Sequence, residues 1–488
     1  MPDRKVSPTD SVSPRRDPVW LIVTSHWLAM LGLGLVVTAI ITWLFVLPLQ
    51  VRGQAENPYI GLFSFVAVPF VLLLGIVLLF IGVYLGRRRA RARLAAGLIE
   101  KKKARTRLLT FLGILSAANL LVGTQGTYRA VHHMESVQFC GQTCHVMKPE
   151  FTAHPISAHA QVTCVECHVA PGAVGWVESK ATGTRQLVET IFDTHPRPIP
   201  SALETDRLVP ARQTCEQCHW RDKPGAIRLK VVTKFASDEE NTPSQTVLTL
   251  HVGGSRMGGI HGKHFGPGVE IRYAAVDKKR QEIAWVEYSN SETKQTHTYL
   301  ADGKTADDVK DLKQHVMQCV DCHNRPAHPF WLPERALDLA MGLGVIPVTL
   351  PYVKRQGLEV IRAEYATTEE ATRRIPEALT AFYRDNYPQV LAERGDEIEA
   401  ASRGLVAVYT RNVFPELDVT WGTYPNNIGH EDFPGCFRCH DEAHRTPDGR
   451  TITQDCATCH EASAVEETDP EVLKTLGLTD ALIGMQRR

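Results

Sequence analysis

All twelve cysteines of the chain fall in six close pairs, and none precedes Cys140. Five pairs share one pattern with the residue that follows them: Cys164-Val-Glu-Cys167-His168, Cys215-Glu-Gln-Cys218-His219, Cys319-Val-Asp-Cys322-His323, Cys436-Phe-Arg-Cys439-His440 and Cys456-Ala-Thr-Cys459-His460. In C-x-x-C-H, two thiols add across the vinyl groups of a porphyrin and the adjacent imidazole binds the iron from the same side. With 12 Cys and 20 His in 488 residues, chance supplies roughly 0.01 copies of this pattern. Zinc ribbons also pair cysteines, but zinc does not ask for a histidine after every second one. The sixth pair, Cys140-Gly-Gln-Thr-Cys144-His145, holds one extra residue. A bulge at Gly141 would absorb it; a plain disulfide is the competing reading. With that pair included, the sequence implies six covalent haems c and leaves no cysteine over.

The histidines that close the motifs, His145, His168, His219, His323, His440 and His460, are the candidate proximal ligands. Fourteen others remain. A second neutral imidazole on the far face of an iron gives a low-spin centre suited to electron transfer. Met147, two residues beyond His145, is a further candidate, since a thioether raises the potential relative to histidine; lone methionines more often fill a core. His26 sits in the first apolar run and reads as a packed or interfacial residue.

The elements that carry these motifs begin with membrane. Residues 1–18 are polar and proline-rich, a cytoplasmic tail. Val19 to Leu49 contains no charged residue over 31 positions, and Pro58 to Gly86 none over 29; about 20 suffice to span a bilayer. Leu108 to Gly123 is a third apolar run of 16 residues, extendable through uncharged Thr124–Thr127. The first run is too long for the apolar core of a cleaved signal. Three transmembrane helices over 19–131 follow, the first two a hairpin closed by 50–57. Between Arg87 and Arg107 lie ten Lys or Arg and one acid, Glu100. That loop, 87–107, belongs in the cytoplasm, which leaves the motifs outside an inner membrane. Covalent haem attachment also occurs outside the cytoplasm, so two unrelated arguments agree.

The balance of 54 basic and 54 acidic residues is an average of unlike halves. Residues 1–107 hold 15 Lys or Arg and 5 Asp or Glu, which leaves 108–488 with a net charge of −10. An acidic exported part argues against a nucleic-acid partner and suits a small basic protein docking in the periplasm.

Cys144-His-Val-Met147, Ser157-Ala-His159 and Cys164-Val-Glu-Cys167-His-Val-Ala-Pro171 resemble the NapC/NirT family of membrane-anchored multihaem quinol dehydrogenases. The likeness runs from about Leu108 to Trp220. The remainder resembles extended members of metal-respiring bacteria, which carry several spans and more haems. The matching pieces are Gly259-Ile-His261, Cys322-His-Asn-Arg-Pro-Ala-His328, Asn427-Ile-Gly-His430 and His444 before Asp448-Gly449. The resemblance implies Met147 in place of His145 at the first iron. It implies His159, His261, His328, His430 and His444 as distal ligands, with His264 in reserve for His261. It also implies a quinol pocket beside the first haem, served by Lys180 and Glu189; the rival reading of 178–192 is a solvated amphipathic helix. The family core has four haems and one span, so the added hairpin has no family role to inherit.

The expected architecture is thus N-terminal transmembrane α-helices followed by a periplasmic multihaem c domain, mainly α and irregular, with a small β-rich insertion. Residues 132–226 hold three motifs. Residues 227–305 are β-rich, with short β-branched runs separated by Gly253-Gly254, Gly258-Gly259 and Asn290-Ser291. Residues 306–345 hold the fourth motif, 346–425 a helical scaffold rich in Ala, Glu, Leu and Arg, and 426–488 the last two motifs. No phosphate-cradling loop or nucleophile elbow is present; Gly253-Gly-Ser255 lacks the strand–turn–helix setting. Three functions are consistent with these features. The first is an inner-membrane quinol dehydrogenase passing electrons from menaquinol or ubiquinol to a periplasmic c-type cytochrome or terminal reductase. The others are an electron-transfer subunit without its own quinone chemistry and a terminal oxyanion reductase.

Overall fold

The computed structural model describes residues 19–51, 66–96, 101–134, 136–143, 145–206, 208–220, 227–254, 256 and 258–478. The tail 1–18 and most of the 50–57 turn lie outside them. Two compact units emerge: Met1–Ser136 with Val169–Arg185, and Val137–His168 with Gln186–Arg488.

In the first unit the described parts of the charge-free runs are mostly helical, as they must be where no water can satisfy the backbone. Val19–Thr24 leads into Trp27–Val51, followed by Val68–Ala95 and Lys101–Ala118. A π-helical turn, Asn119–Gly123, joins the last of these to Thr124–Met134. Among the described residues, three stretches are long and apolar enough to cross a membrane: Trp27–Leu44, Val68–Ala92 and Lys102–Gly126. His26 is buried at the break before Trp27, where its Nδ1 accepts from Leu28 N–H at 3.2 Å. It packs and caps, as its position in the sequence suggests.

Glycines bring the first two spans together. A Cβ at Gly32 would lie 2.3 Å from the Leu79 nitrogen, and one at Gly82 would lie 2.1 Å from the Ala29 nitrogen. Lipid supplies no hydrophobic push between helices, so close backbone approach drives their association. Asn119 Nδ2 donates to Thr38 Oγ1 at 2.9 Å and ties the third span to the first. Phe70, Leu73, Phe80 and Tyr84 are exposed, as lipid-facing side chains are. Gly82→Leu is expected to wedge the hairpin apart at a cost of about 1–3 kcal/mol. A thermal melt of the detergent-solubilised protein measures this; an unchanged midpoint would show that the contact is dispensable.

The second unit holds two antiparallel sheets and a helical bundle. β1 (Arg228–Phe235), β2 (Pro243–Leu250), β3 (Val269–Ala275), β4 (Ile283–Asn290) and β5 (Gln295–Leu300) form where alternation and glycine turns predict strands. Two strands from outside 227–305 complete the sheets: β6 (Gln314–Val316) and β7 (His460–Glu467). The orders are β1-β2-β7 and β5-β4-β3-β6. β6 runs into the fourth cysteine motif, and β7 starts at the histidine of the sixth, with His460 opposite Leu250. The β-rich stretch is therefore sewn into the motifs and is not a free-standing insertion.

Pro333–Gly342, Val353–Arg362, Thr368–Asn386 and Gly395–Asn412 bury Leu337, Ile361, Ile375, Leu379, Tyr383 and Leu405 in a core that holds no cysteine. Inside it Lys354 Nζ pairs with Asp338 Oδ1 at 2.5 Å, and Phe235 N–H donates to the same oxygen at 3.0 Å. The Asn241 side chain donates to the carbonyls of Val348 and Leu350 at 3.0 and 2.8 Å. These bonds fasten the β1–β2 hairpin to the bundle.

Candidate haem-binding centre

Five of the six motif histidines face a second imidazole. Ring centroids lie 6.2 Å apart for His168 and His328, 5.9 Å for His219 and His159, and 6.3 Å for His323 and His261. They lie 5.8 Å apart for His440 and His264, and 6.0 Å for His460 and His430. A metal held from both sides by imidazole nitrogens at about 2 Å requires centroids roughly 6 Å apart. Among the described residues, no three His, Cys, Asp or Glu side chains converge to hold a bare ion. A macrocycle that brings its own four nitrogens fits these pairs; tetrahedral zinc does not.

The outer nitrogens settle the tautomers. His159 Nδ1 is 3.1 Å from the Pro326 carbonyl, His328 Nδ1 3.2 Å from that of Glu150, His264 Nδ1 2.7 Å from that of Ile260 and His440 Nδ1 2.8 Å from that of Thr453. A carbonyl only accepts, so Nδ1 carries the proton and Nε2 keeps its lone pair for a metal. Burial pushes His328 down to about 3 and lowers His168, His264 and His323 as well. The rings stay neutral, as ligands must.

The first motif takes up its extra residue in a local bulge. Phe139–Thr143 forms a π-helical turn, which holds one residue more than an α-turn. Gly141 lies inside it. A Cβ there would lie 2.2 Å from the Phe151 ring, so glycine makes room for close packing. Met147 is half-buried at the end of the His145–Met147 turn. Cys144 and the His145 side chain lie outside the described residues.

His444 departs from expectation. Its ring is buried, with Nδ1 2.9 Å from Asp441 Oδ1 and Nε2 3.0 Å from the Ile283 carbonyl. Both nitrogens are used within the protein, and the ring pins the fifth motif to β4. His264 takes the place opposite His440. The signal was present in the sequence: His261 and His264 stand three residues apart on the helix Gly259–Phe265, so they share a face and meet two different motif histidines.

Successive motifs are neighbours in space. Cys164 lies within electrostatic reach of Cys140, and Cys167 within that of Cys215 and Cys218. His323 lies within electrostatic reach of His219 and of its partner His159. Cys322 neighbours Cys436 and Cys439, and Cys459 neighbours Cys436. The fourth and fifth motifs are also locked through their variable residues. Arg438 donates to the Asp321 carbonyl at 2.6 Å and to the Arg280 carbonyl at 2.7 Å. The Asp321 carboxylate accepts from Tyr273 Oη, from Arg280 at 3.1 Å and from Gln318 N–H at 2.7 Å. Nothing in the C-x-x-C-H pattern itself foretells this.

Lys180 and Glu189 both fall on the helix Gly172–Ile191. Nine residues make about two and a half turns, so the two positions lie on opposite sides of the helix axis. Glu189 is half-buried and its carbonyl accepts from Thr194 N–H at 2.8 Å; the Lys180 side chain lies outside the described residues.

Residues 101–241 match the model of the NapC/NirT cytochrome c family, N-terminal region. The cytochrome c-type protein ImcH of Geobacter sulfurreducens is 35% identical over 455 residues, 91% of this chain and 87% of that protein. The chain belongs to the NapC/NirT family. A NapC/NirT cytochrome is a membrane protein that transfers electrons through covalently bound haem c, and the ring pairs supply the fitting donors. The cytochrome c nitrite reductase subunit NrfH of Nitratidesulfovibrio vulgaris is similar over a shorter stretch. It is 28% identical over 109 residues, 22% of this chain and 62% of NrfH. No solved structure matches this NapC/NirT chain.

Proposed function

We propose that this NapC/NirT cytochrome oxidises menaquinol or ubiquinol at the inner membrane and passes the electrons through six haems c to a periplasmic acceptor. The observation that carries the reading is the unbroken succession of neighbouring motifs, which starts just after the third apolar helix. Haem c, when bound, supplies the one-electron relay. The chain's own residues do the rest. Opposed imidazoles, His168 with His328 through to His460 with His430, would hold the haems of the last five motifs. His145 or Met147 serves the first site. Each quinol gives up two electrons and two protons. Glu189 is assigned the first proton, as a general base, and the second leaves to the water outside the membrane. Arg87 to Arg107 keep the helix ends between spans two and three in the cytoplasm, so that the motifs face the periplasm. The net charge of −10 beyond residue 107 draws a basic cytochrome.

The test is anaerobic reduction of the haems by a menaquinol analogue in membranes, with the intact mass counting the porphyrins. Six porphyrins and rapid reduction are expected. Glu189→Gln is expected to slow reduction about 100-fold without changing the porphyrin count. A second reading, an electron conduit whose quinone chemistry sits on another subunit, is favoured by the placement of Lys180 and Glu189 on opposite sides of one helix. Purified protein that accepts electrons from dithionite but never from quinol would establish it.

A further inference from the structure

His323-Asn-Arg325-Pro-Ala-His328 is a six-residue loop that touches the ligand sets of three motifs. His323 faces His261, and His328 faces His168. The Pro326 carbonyl accepts from Nδ1 of His159, the ring opposite His219. Asn324 fixes the loop: its Nδ2 donates to the Pro425 carbonyl at 2.8 Å and its Oδ1 accepts from Asn427 N–H at 2.9 Å.

Arg325 stands at the centre of this junction. Its guanidinium lies over the Tyr424 ring at 4.4 Å and 5.9 Å from that of Phe330. Its Nε is buried without an acceptor, and among the described residues no carboxylate forms an ion pair with it. Glu150 is near enough for its charge to be felt, yet Glu150 Oε2 is likewise buried without a partner. A guanidinium presents five N–H donors in a rigid fork; Arg325 is half-buried, with the Glu150 and Glu204 charges nearby but neither bonded to it, and a buried N–H left without an acceptor is costly. The missing partner is an anion that arrives with the cofactor. We propose that Arg325 binds a haem propionate carboxylate at the junction of the second, third and fourth motifs. The fork matches a carboxylate, and haem carries its propionates at the porphyrin edge, away from the thioether bonds.

Arg325→Gln and Arg325→Lys in the full-length holoprotein test this by redox titration and resonance Raman spectroscopy. In Arg325→Gln one low-spin haem moves to a more negative midpoint, because the carboxylate has lost its counter-charge, and a propionate bending band shifts. In Arg325→Lys the midpoint stays near wild type while the same band shifts, because the charge remains and the fork is gone. Wild-type midpoints and bands in both variants would overturn the proposal. Should Arg325→Gln fail to mature, Arg325→Lys decides alone: an unmoved band overturns it. The inference rests on the haem reading of the ring pairs. A porphyrin count below the motif count would strike that reading, whereas a full count with unmoved bands strikes this proposal only.

Discussion

Replacing His264 by alanine is expected to turn one haem from low-spin to high-spin, whereas His444→Ala leaves the haem spectrum intact and weakens the fold. The ring of His264 stands 5.8 Å from that of His440, with its Nδ1 proton spent on the Ile260 carbonyl. Removal leaves the fifth site with a water or a vacancy on one face, and such an iron changes coordination as it changes charge. That reorganisation slows electron passage along the motif series; each ~1.4 kcal/mol of added barrier is about tenfold in rate. His444 is buried between Asp441 and the Ile283 carbonyl. Its loss strands both partners at a cost of about 2–4 kcal/mol. Low-temperature electron paramagnetic resonance reads the first outcome and denaturant unfolding the second. If His444→Ala produced the high-spin signal and His264→Ala did not, the assignment would be reversed.

Arg438→Ala is expected to uncouple the fourth and fifth motifs. The side chain supplies two charge-assisted bonds, one to the Asp321 carbonyl in the fourth motif and one to the Arg280 carbonyl in the β3–β4 turn that holds Asp321. Such bonds contribute about 1.5–3 kcal/mol each, and Arg438 is half-buried, so the lower end applies and the loss is about 3 kcal/mol. Lysine offers a point charge and cannot reach two carbonyls with a planar fork; Arg438→Lys is therefore expected to recover little. The functional readout is the magnetic interaction between the two haems, which falls off steeply with distance, together with the rate of transfer across the pair. A variant that keeps its unfolding midpoint and its interhaem coupling would show that the lock is immaterial.

Much of the chemistry was legible from spacing. Two cysteines and a histidine in five consecutive positions must present thiols and imidazole on one short turn, whatever surrounds them, so local covalent geometry alone names the cofactor. The apolar runs were equally plain, because a bilayer demands about 20 uncharged residues in a row. The partner across each iron is a different matter. His261 and His264 are three residues apart, yet they meet His323 and His440, which lie 117 residues apart in the chain. Pairing of that kind depends on which surfaces pack together, and hydrophobic packing leaves no periodic mark at the ligand.

The same division explains the errors and the surprises. His444 looked like a ligand by its place after the fifth motif, but a buried imidazole can satisfy both nitrogens with protein groups, and only the positions of Asp441 and Ile283 reveal that it does. Lys180 and Glu189 both fall on the helix Gly172–Ile191, half a turn out of phase, and residue order alone does not say which of the two faces the first motif. The π-turn at Phe139–Thr143 and the grip of Arg438 on Asp321 likewise arise from contacts made only after the chain has closed on itself. What residue order determined by itself is what neighbours along the backbone can do: attach haem, cross lipid, carry charge. What the tertiary structure decided is which side chains, distant in the chain, share one iron or one carbonyl, because those partners are chosen by packing and not by proximity in sequence.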